Sequence, residues 1–257
     1  TFRGLGWKKT NIRSGGQDET MYRVEDKYSC TLQELAMLQS RIGTVLKPDS
    51  NENDEEGYSI ISVYFDDIYD THMQDTVDGN SIRDKYRIRI YNHSFDTIKL
   101  EVKSKNYNRV NKKSALITFA QMQQLLQGNS IEHGYSFDDP ATLFHIAMSQ
   151  RKLVPKVIVA YERKAYIYEP GNVRITFDRN IRASNQIGLF GRQEISYDIL
   201  RQENDAVLEV KYDEFMPEFI LQMLETGNMR QTSYSKYRLC REIYSDGGKV
   251  NVSEGCD

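Results

Sequence analysis

The sequence has little cysteine, little histidine and no surplus of basic charge, and each shortage closes off a class of protein. Its three cysteines, Cys30, Cys240 and Cys256, are odd in number and lack metal-type spacing. They argue against a disulfide framework and for a reducing, cytoplasmic setting. The four histidines, His72, His93, His133 and His145, are scattered without ligand spacing and receive no catalytic role. A formal net charge of -3 over 257 residues lacks the basic signature of a nucleic-acid-binding domain, so no nucleic-acid partner is expected. No run approaches the roughly 20 apolar residues of a membrane-spanning helix, and the N-terminus lacks the apolar stretch of a signal peptide. A chain without a membrane span is therefore expected.

Tyrosine and strict alternation are what the chain has in quantity. Its 17 tyrosines suit a strand-rich globular protein. In Ile82 to Lys105, Arg83, Lys85, Arg87 and Arg89 share one parity, and Glu101, Lys103 and Lys105 share one parity of the following run. Tyr86, Ile88, Ile90, Leu100 and Val102 occupy the opposite parities, so a polar turn joins two strands that each have an ionic and an apolar face. The pattern recurs in Met21 to Tyr28, Val173 to Asp178 and Ala206 to Tyr212, while Val157 to Tyr168 sets Arg163 and Lys164 between Tyr161 and Tyr166. LEVK occurs twice, at Leu100 to Lys103 and Leu208 to Lys211, a weak echo between two halves.

Helices are expected after the capping box Thr31 to Glu34, over Thr118 to Leu126 and Ala141 to Leu153, and near the end at Phe215 to Glu225 and Ser235 to Tyr244. Residues 1–20 read as a loosely ordered arm, 21–245 as a single domain and 246–257 as a tail. The acidic run Asp49 to Gly57 reads as a solvated loop.

One arrangement satisfies all the ionic faces together: a closed or nearly closed antiparallel barrel of the α+β class, helices outside on the apolar faces and charges inward. Buried ions need partners. Basic side chains outnumber carboxylates on these faces, so a ligand should supply negative charge. Forked guanidinium groups favour phosphate, and hard carboxylate oxygens favour Mg²⁺ or Mn²⁺.

In order along the chain, VEDKY, YFD at Tyr64 to Asp66, RIRIY at Arg87 to Tyr91, LEVK, YERKAY at Tyr161 to Tyr166, VRITFD, LEVKY and SKY at Ser235 to Tyr237 carry a resemblance. The chain resembles the VTC-type polyphosphate polymerase domain, a branch of the triphosphate tunnel metalloenzymes with a CYTH-like fold. The resemblance implies an eight-stranded antiparallel tunnel that holds ATP triphosphate or inorganic polyphosphate. It implies phosphate contacts from Lys27, Arg87, Arg89, Lys103, Arg163, Arg174 and Lys236. A further tunnel lysine falls on Lys113 or its neighbour Lys112, with Lys113 preferred. Lys27, Arg87 and Arg89 would be catalytic, and Glu209 would match the metal-binding glutamate for Mn²⁺ or Mg²⁺. Glu101 is left open between metal ligand and ion-pair partner of Arg87 or Arg89. Many hydrolases of this superfamily begin Glu-x-Glu-x-Lys; here the stretch is Arg23-Val-Glu25-Asp-Lys27, which fits the polymerase branch better. The implied activity is transfer of the ATP γ-phosphoryl group onto a growing polyphosphate chain. The alternatives are a metal-dependent triphosphatase and a non-catalytic polyphosphate sensor.

Overall fold

A computed structural model describes residues 24–49, 57–107, 109–200, 206–213, 215–225 and 230–244. The arm, the tail, residues 21–23 at the start of the expected first strand and the acidic stretch between Asp49 and Gly57 lie outside the described residues. In chain order the elements are β1 (Val24–Cys30), α1 (Leu32–Gly43), β2 (Lys47–Pro48), β3 (Tyr58–Asp66), α2 (Thr71–Val77), β4 (Ile82–Tyr91), β5 (Ser94–Asn106), β6 (Arg109–Leu116), α3 (Phe119–Leu126), α4 (Pro140–Arg151), β7 (Val154–Tyr168), β8 (Val173–Ser184), β9 (Asp198–Ile199), β10 (Ala206–Tyr212), α5 (Glu218–Leu224), β11 (Arg230–Gln231) and α6 (Lys236–Glu242).

Eight long strands form one antiparallel sheet in the order β1-β10-β8-β7-β3-β4-β5-β6, with the two-residue β2, β9 and β11 pairing onto β7, β8 and β1. The sheet curls, as the alternating ionic faces predicted. Among the described residues no backbone pairing joins β6 to β1 or β11. Across the concave face, Glu25 on β1 accepts from Lys103 Nζ on β5 at 3.1 Å to each oxygen.

The apolar parities build the convex side. Ile88, Ile90, Leu100 and Val102 pack with Phe144 of α4 and Met122 and Leu125 of α3. Tyr28, Ile175, Phe177, Leu208 and Val210 pack with Leu35, Leu38 and Ile42 of α1 and with Ile220 of α5. Each fully buried side chain of this size stabilises the fold by roughly 1.5–3 kcal/mol. Two capping boxes hold as read: Thr31 with Glu34, and Thr118 with Gln121. The turn of the central hairpin is Asn92-His93, both at positive φ, a pairing that suits a tight connection between twisted strands.

One helix departs from the expectation that all pack outside. Tyr237 and Cys240 of α6 lie among Tyr64, Val157, Val159, Tyr161 and Val207, on the same side of the sheet as the charges. The reason is that β3 and the first half of β7 are apolar on both parities, so both of their faces require cover. Tyr237 Oη fixes the helix there by donating to Asp66 Oδ2 at 2.5 Å. Asp66 also accepts from the backbone amides of Asp67, His72 and Met73.

Candidate functional site

The remainder of the concave face is ionic. On β4, alternation turns Arg87 and Arg89 inward opposite Glu101 and Lys99 of β5. Arg87 Nε donates to Glu101 Oε2 at 2.6 Å, and its Nη1 donates to Tyr64 Oη at 2.9 Å. Arg89 lies 3.8 Å from the same carboxylate and donates to Ser62 Oγ and Tyr161 Oη, each at 3.3 Å. Lys112 of β6 makes a third ion pair with Glu101. Burial opposes ionisation of Glu101, yet Arg87, Arg89 and Lys112 together hold its pKa far below the usual carboxylate range. Glu101 is thus an ion-pair hub, and its oxygens already serve cations of the protein.

A second hub lies across the lumen. Asp178, fully buried, receives Arg163 through Nε at 2.6 Å and Nη2 at 2.7 Å, and Lys236 of α6 approaches it to 2.7 Å. Lys236 also stands 4.9 Å from the Tyr161 ring centroid, a cation over an aromatic face. Arg174 donates to Tyr58 Oη at 3.2 Å and pairs with Asp49. Asp49, read from sequence as part of a solvated loop, is 6% exposed. Pairing of β2 with β7 and the bond from Asp49 N–H to Ala165 O draw it inward. The chain re-emerges at Gly57, whose φ of +97 places it where a Cβ would collide with the Arg163 carbonyl oxygen.

Between the hubs, Glu25 and Glu209 come within hydrogen-bonding reach of one another. Lys27 lies 3.2 Å from Glu25 and 3.8 Å from Glu209, and Lys211 lies 3.5 Å and 3.3 Å from the same two. Burial opposes ionisation of both carboxylates, but the surrounding lysines keep both below their ordinary pKa values. For Lys27 burial works against the charge, and the two glutamates more than offset it. Lys103 goes the other way: burial and the neighbouring Lys27 and Lys211 outweigh Glu25 and pull it down to about 8.

Two adjacent carboxylates facing a cationic lumen are a hard-oxygen pair. Mg²⁺ and Mn²⁺ are commonly held by one or two such groups together with substrate phosphates. Glu25 and Glu209 fit that mode. Each is also paired with three cations of the protein, as Glu101 is, but Glu101 has no second carboxylate beside it among the described residues and so does not offer such a pair. No cluster of three metal-ligating side chains occurs among the described residues.

The structure therefore brings Lys27, Arg87, Arg89, Lys103, Arg163, Arg174, Lys236, Glu101 and Glu209 to one concave face. Lys113 is placed elsewhere. In the β5–β6 register Lys113 stands opposite Val102 and Lys112 opposite Lys103. Lys113 accordingly points to the convex side, where it pairs with Asp138 at 3.0 Å, and Lys112 takes the inward position. Sequence reasoning also passed over Tyr58, Tyr64 and Tyr161, which present phenol oxygens to Arg174, Arg87 and Arg89. Their signal was the inward parity of β3 and β7.

A family model, the VTC domain, matches residues 22–244. The chain belongs to the VTC domain family. Among solved structures, this VTC domain is similar to a candidate adenylate cyclase from Bacillus halodurans, with 13% identity, coverage of 84% of this chain and 94% of that one, and a TM-score of 0.51. A candidate adenylate cyclase from Vibrio parahaemolyticus aligns at 10% identity over 86% of this chain and 98% of that one, with a TM-score of 0.48. At such identities the likeness concerns the fold, and the first of the two supports the curled sheet. No curated protein matches the chain. No helix among the described residues is long and apolar enough to cross a membrane.

Proposed function

We propose that this VTC domain is a polyphosphate polymerase that transfers the γ-phosphoryl group of ATP onto a polyphosphate chain held in the concave face. The observation that carries the reading is the convergence of Lys27, Arg87, Arg89, Lys103, Lys112, Arg163, Arg174, Lys211 and Lys236 on one face. Among the described residues, Glu25, Asp49, Glu101, Asp178 and Glu209 pair with them there. A linear polyanion is the ligand whose charge is repeated at intervals along such a surface.

The chemistry asks little covalent work of the protein. A terminal oxygen of the acceptor chain, already charged at neutral pH, attacks the γ-phosphorus; the bond to the bridging oxygen breaks and ADP leaves with that oxygen. Arg87 and Arg89, held by Glu101 and by the Tyr64 and Tyr161 phenols, present preoriented guanidinium groups to charge building on the transferred group. Lys27, Lys103 and Lys211 align the flanking phosphates. A divalent ion at Glu25 and Glu209 would supply further neutralisation of the phosphate oxygens.

The deciding experiment incubates the protein with ATP and Mn²⁺ and separates long-chain polyphosphate from free phosphate. Polyphosphate is the expected product; free phosphate alone would make the domain a triphosphatase, and neither product would make it an anion-binding module. Glu209→Ala should abolish turnover and retain tripolyphosphate binding, and wild-type product formation by that variant would refute the metal role of Glu209.

A further inference from the structure

Lys99 apart, which stands over the Tyr91 ring, the cations placed at the site above each have a carboxylate within ion-pair reach. Lys85 does not. It lies on β4 with the same inward parity as Arg87, two residues away. Its Nζ donates to Ser235 Oγ at 2.9 Å and stands 5.7 Å from the Tyr237 ring centroid. The strongest charged influences on it are Lys27 of β1, Arg83 of β4, Lys103 of β5 and Arg87 of β4, all positive. Among the described residues no carboxylate forms an ion pair with it. A partly buried ammonium beside four cations, with a hydroxyl and a ring for company, is electrostatically incomplete.

We propose that Lys85 is a further anion-binding residue, and that its ammonium with the Ser235 hydroxyl marks where a phosphoryl group of the bound chain seats between β4 and α6. This deepens the reading of the concave face as a phosphate-binding site and rests on it. The bond to Ser235 Oγ holds the side chain ready without satisfying its charge, and the hydroxyl can turn to share the same phosphate oxygen. Burial and the four cations depress the Lys85 ammonium well below the ordinary lysine range. An arriving polyanion reverses that balance and favours the protonated form.

Calorimetry with inorganic tripolyphosphate, at about pH 8 in two buffers of different ionisation enthalpy, measures affinity and proton uptake together. The wild-type protein should take up protons on binding. Lys85→Met should bind on the order of tenfold more weakly, the loss expected for a hydrogen bond to a charged group, and take up fewer protons. Lys85→Arg, whose charge is permanent, should keep the affinity and also take up fewer protons. The ligand-free Lys85→Met protein should melt no lower than wild type, because a half-buried amine in cationic surroundings has given way to an apolar side chain. Wild-type affinity in Lys85→Met, or undiminished proton uptake in either variant, overturns the assignment to Lys85. Should Lys85→Met not fold, the proton uptake of Lys85→Arg decides. Failure of the wild-type protein itself to bind tripolyphosphate would instead overturn the reading of the whole concave face, and Lys85 with it.

Discussion

At Glu101, cations from β4 and β6 meet one carboxylate with 1% exposure. Removing its charge leaves Arg87, Arg89 and Lys112 facing one another. Glu101→Gln should cost about 3–5 kcal/mol, the range for breaking one member of a buried ion pair. Urea unfolding checks this, and added tripolyphosphate should restore part of the loss by taking over the cations. The pH sign follows from the lowered pKa of Glu101. The stabilisation is present above the unfolded carboxylate value and disappears as pH falls through the lower folded value. Lys112 and Lys113 make a paired test one residue apart: Lys112→Met should weaken tripolyphosphate binding, and Lys113→Met should leave it as in wild type. Equal effects in the titration would contradict the β5–β6 register.

At the scale of elements, α6 is held on the concave face by Tyr237, whose hydroxyl reaches the buried Asp66, together with the Lys236–Asp178 ion pair. Tyr237→Phe should destabilise the protein by about 1–3 kcal/mol in thermal or urea unfolding, because Asp66 Oδ2 loses a donor in a buried setting. The strands that build the ionic wall were legible because period-two alternation assigns a face to each residue without reference to the rest of the chain. Arg87, Arg89, Lys103 and Glu209 could be assigned inward that way. The inward helix was not read, since the apolar runs of β3 and β7 say that two faces are covered without saying by what. The sequence predicts no strand after Asn108, so nothing in it separates Lys113 from Lys112 by face. Where register is unknown, a slip of one residue exchanges the two faces. Asp49 was lost among neighbours of the same charge, and only the pairing of β2 with β7 distinguishes it.

Taken whole, the molecule is a curled eight-stranded sheet of the VTC domain family whose inner charges compensate one another incompletely. Such a surface should bind a polyanion through many screened contacts, so tripolyphosphate affinity should fall as salt rises. It should also fall as pH rises through about 8, where Lys103 loses its proton and with it one positive charge of the site. Titrations at several pH values and fixed ionic strength separate the two effects; an affinity flat from neutral to alkaline pH would mean that Lys103 does not face the ligand.

The ion pair between Glu25 and Lys103 bears on more than the ligand. A barrel closed by backbone pairing has its girth fixed by strand number and stagger. Here the sheet is open between its edge strands among the described residues, and a pair of side chains crosses the concave face from β1 to β5, so the sheet resembles a strap with a buckle. The buckle is fastened by the same lysine that is proposed to hold phosphate. Phosphate binding at Lys103, as proposed, would release Glu25 from it and make the width of the groove a function of what the groove contains.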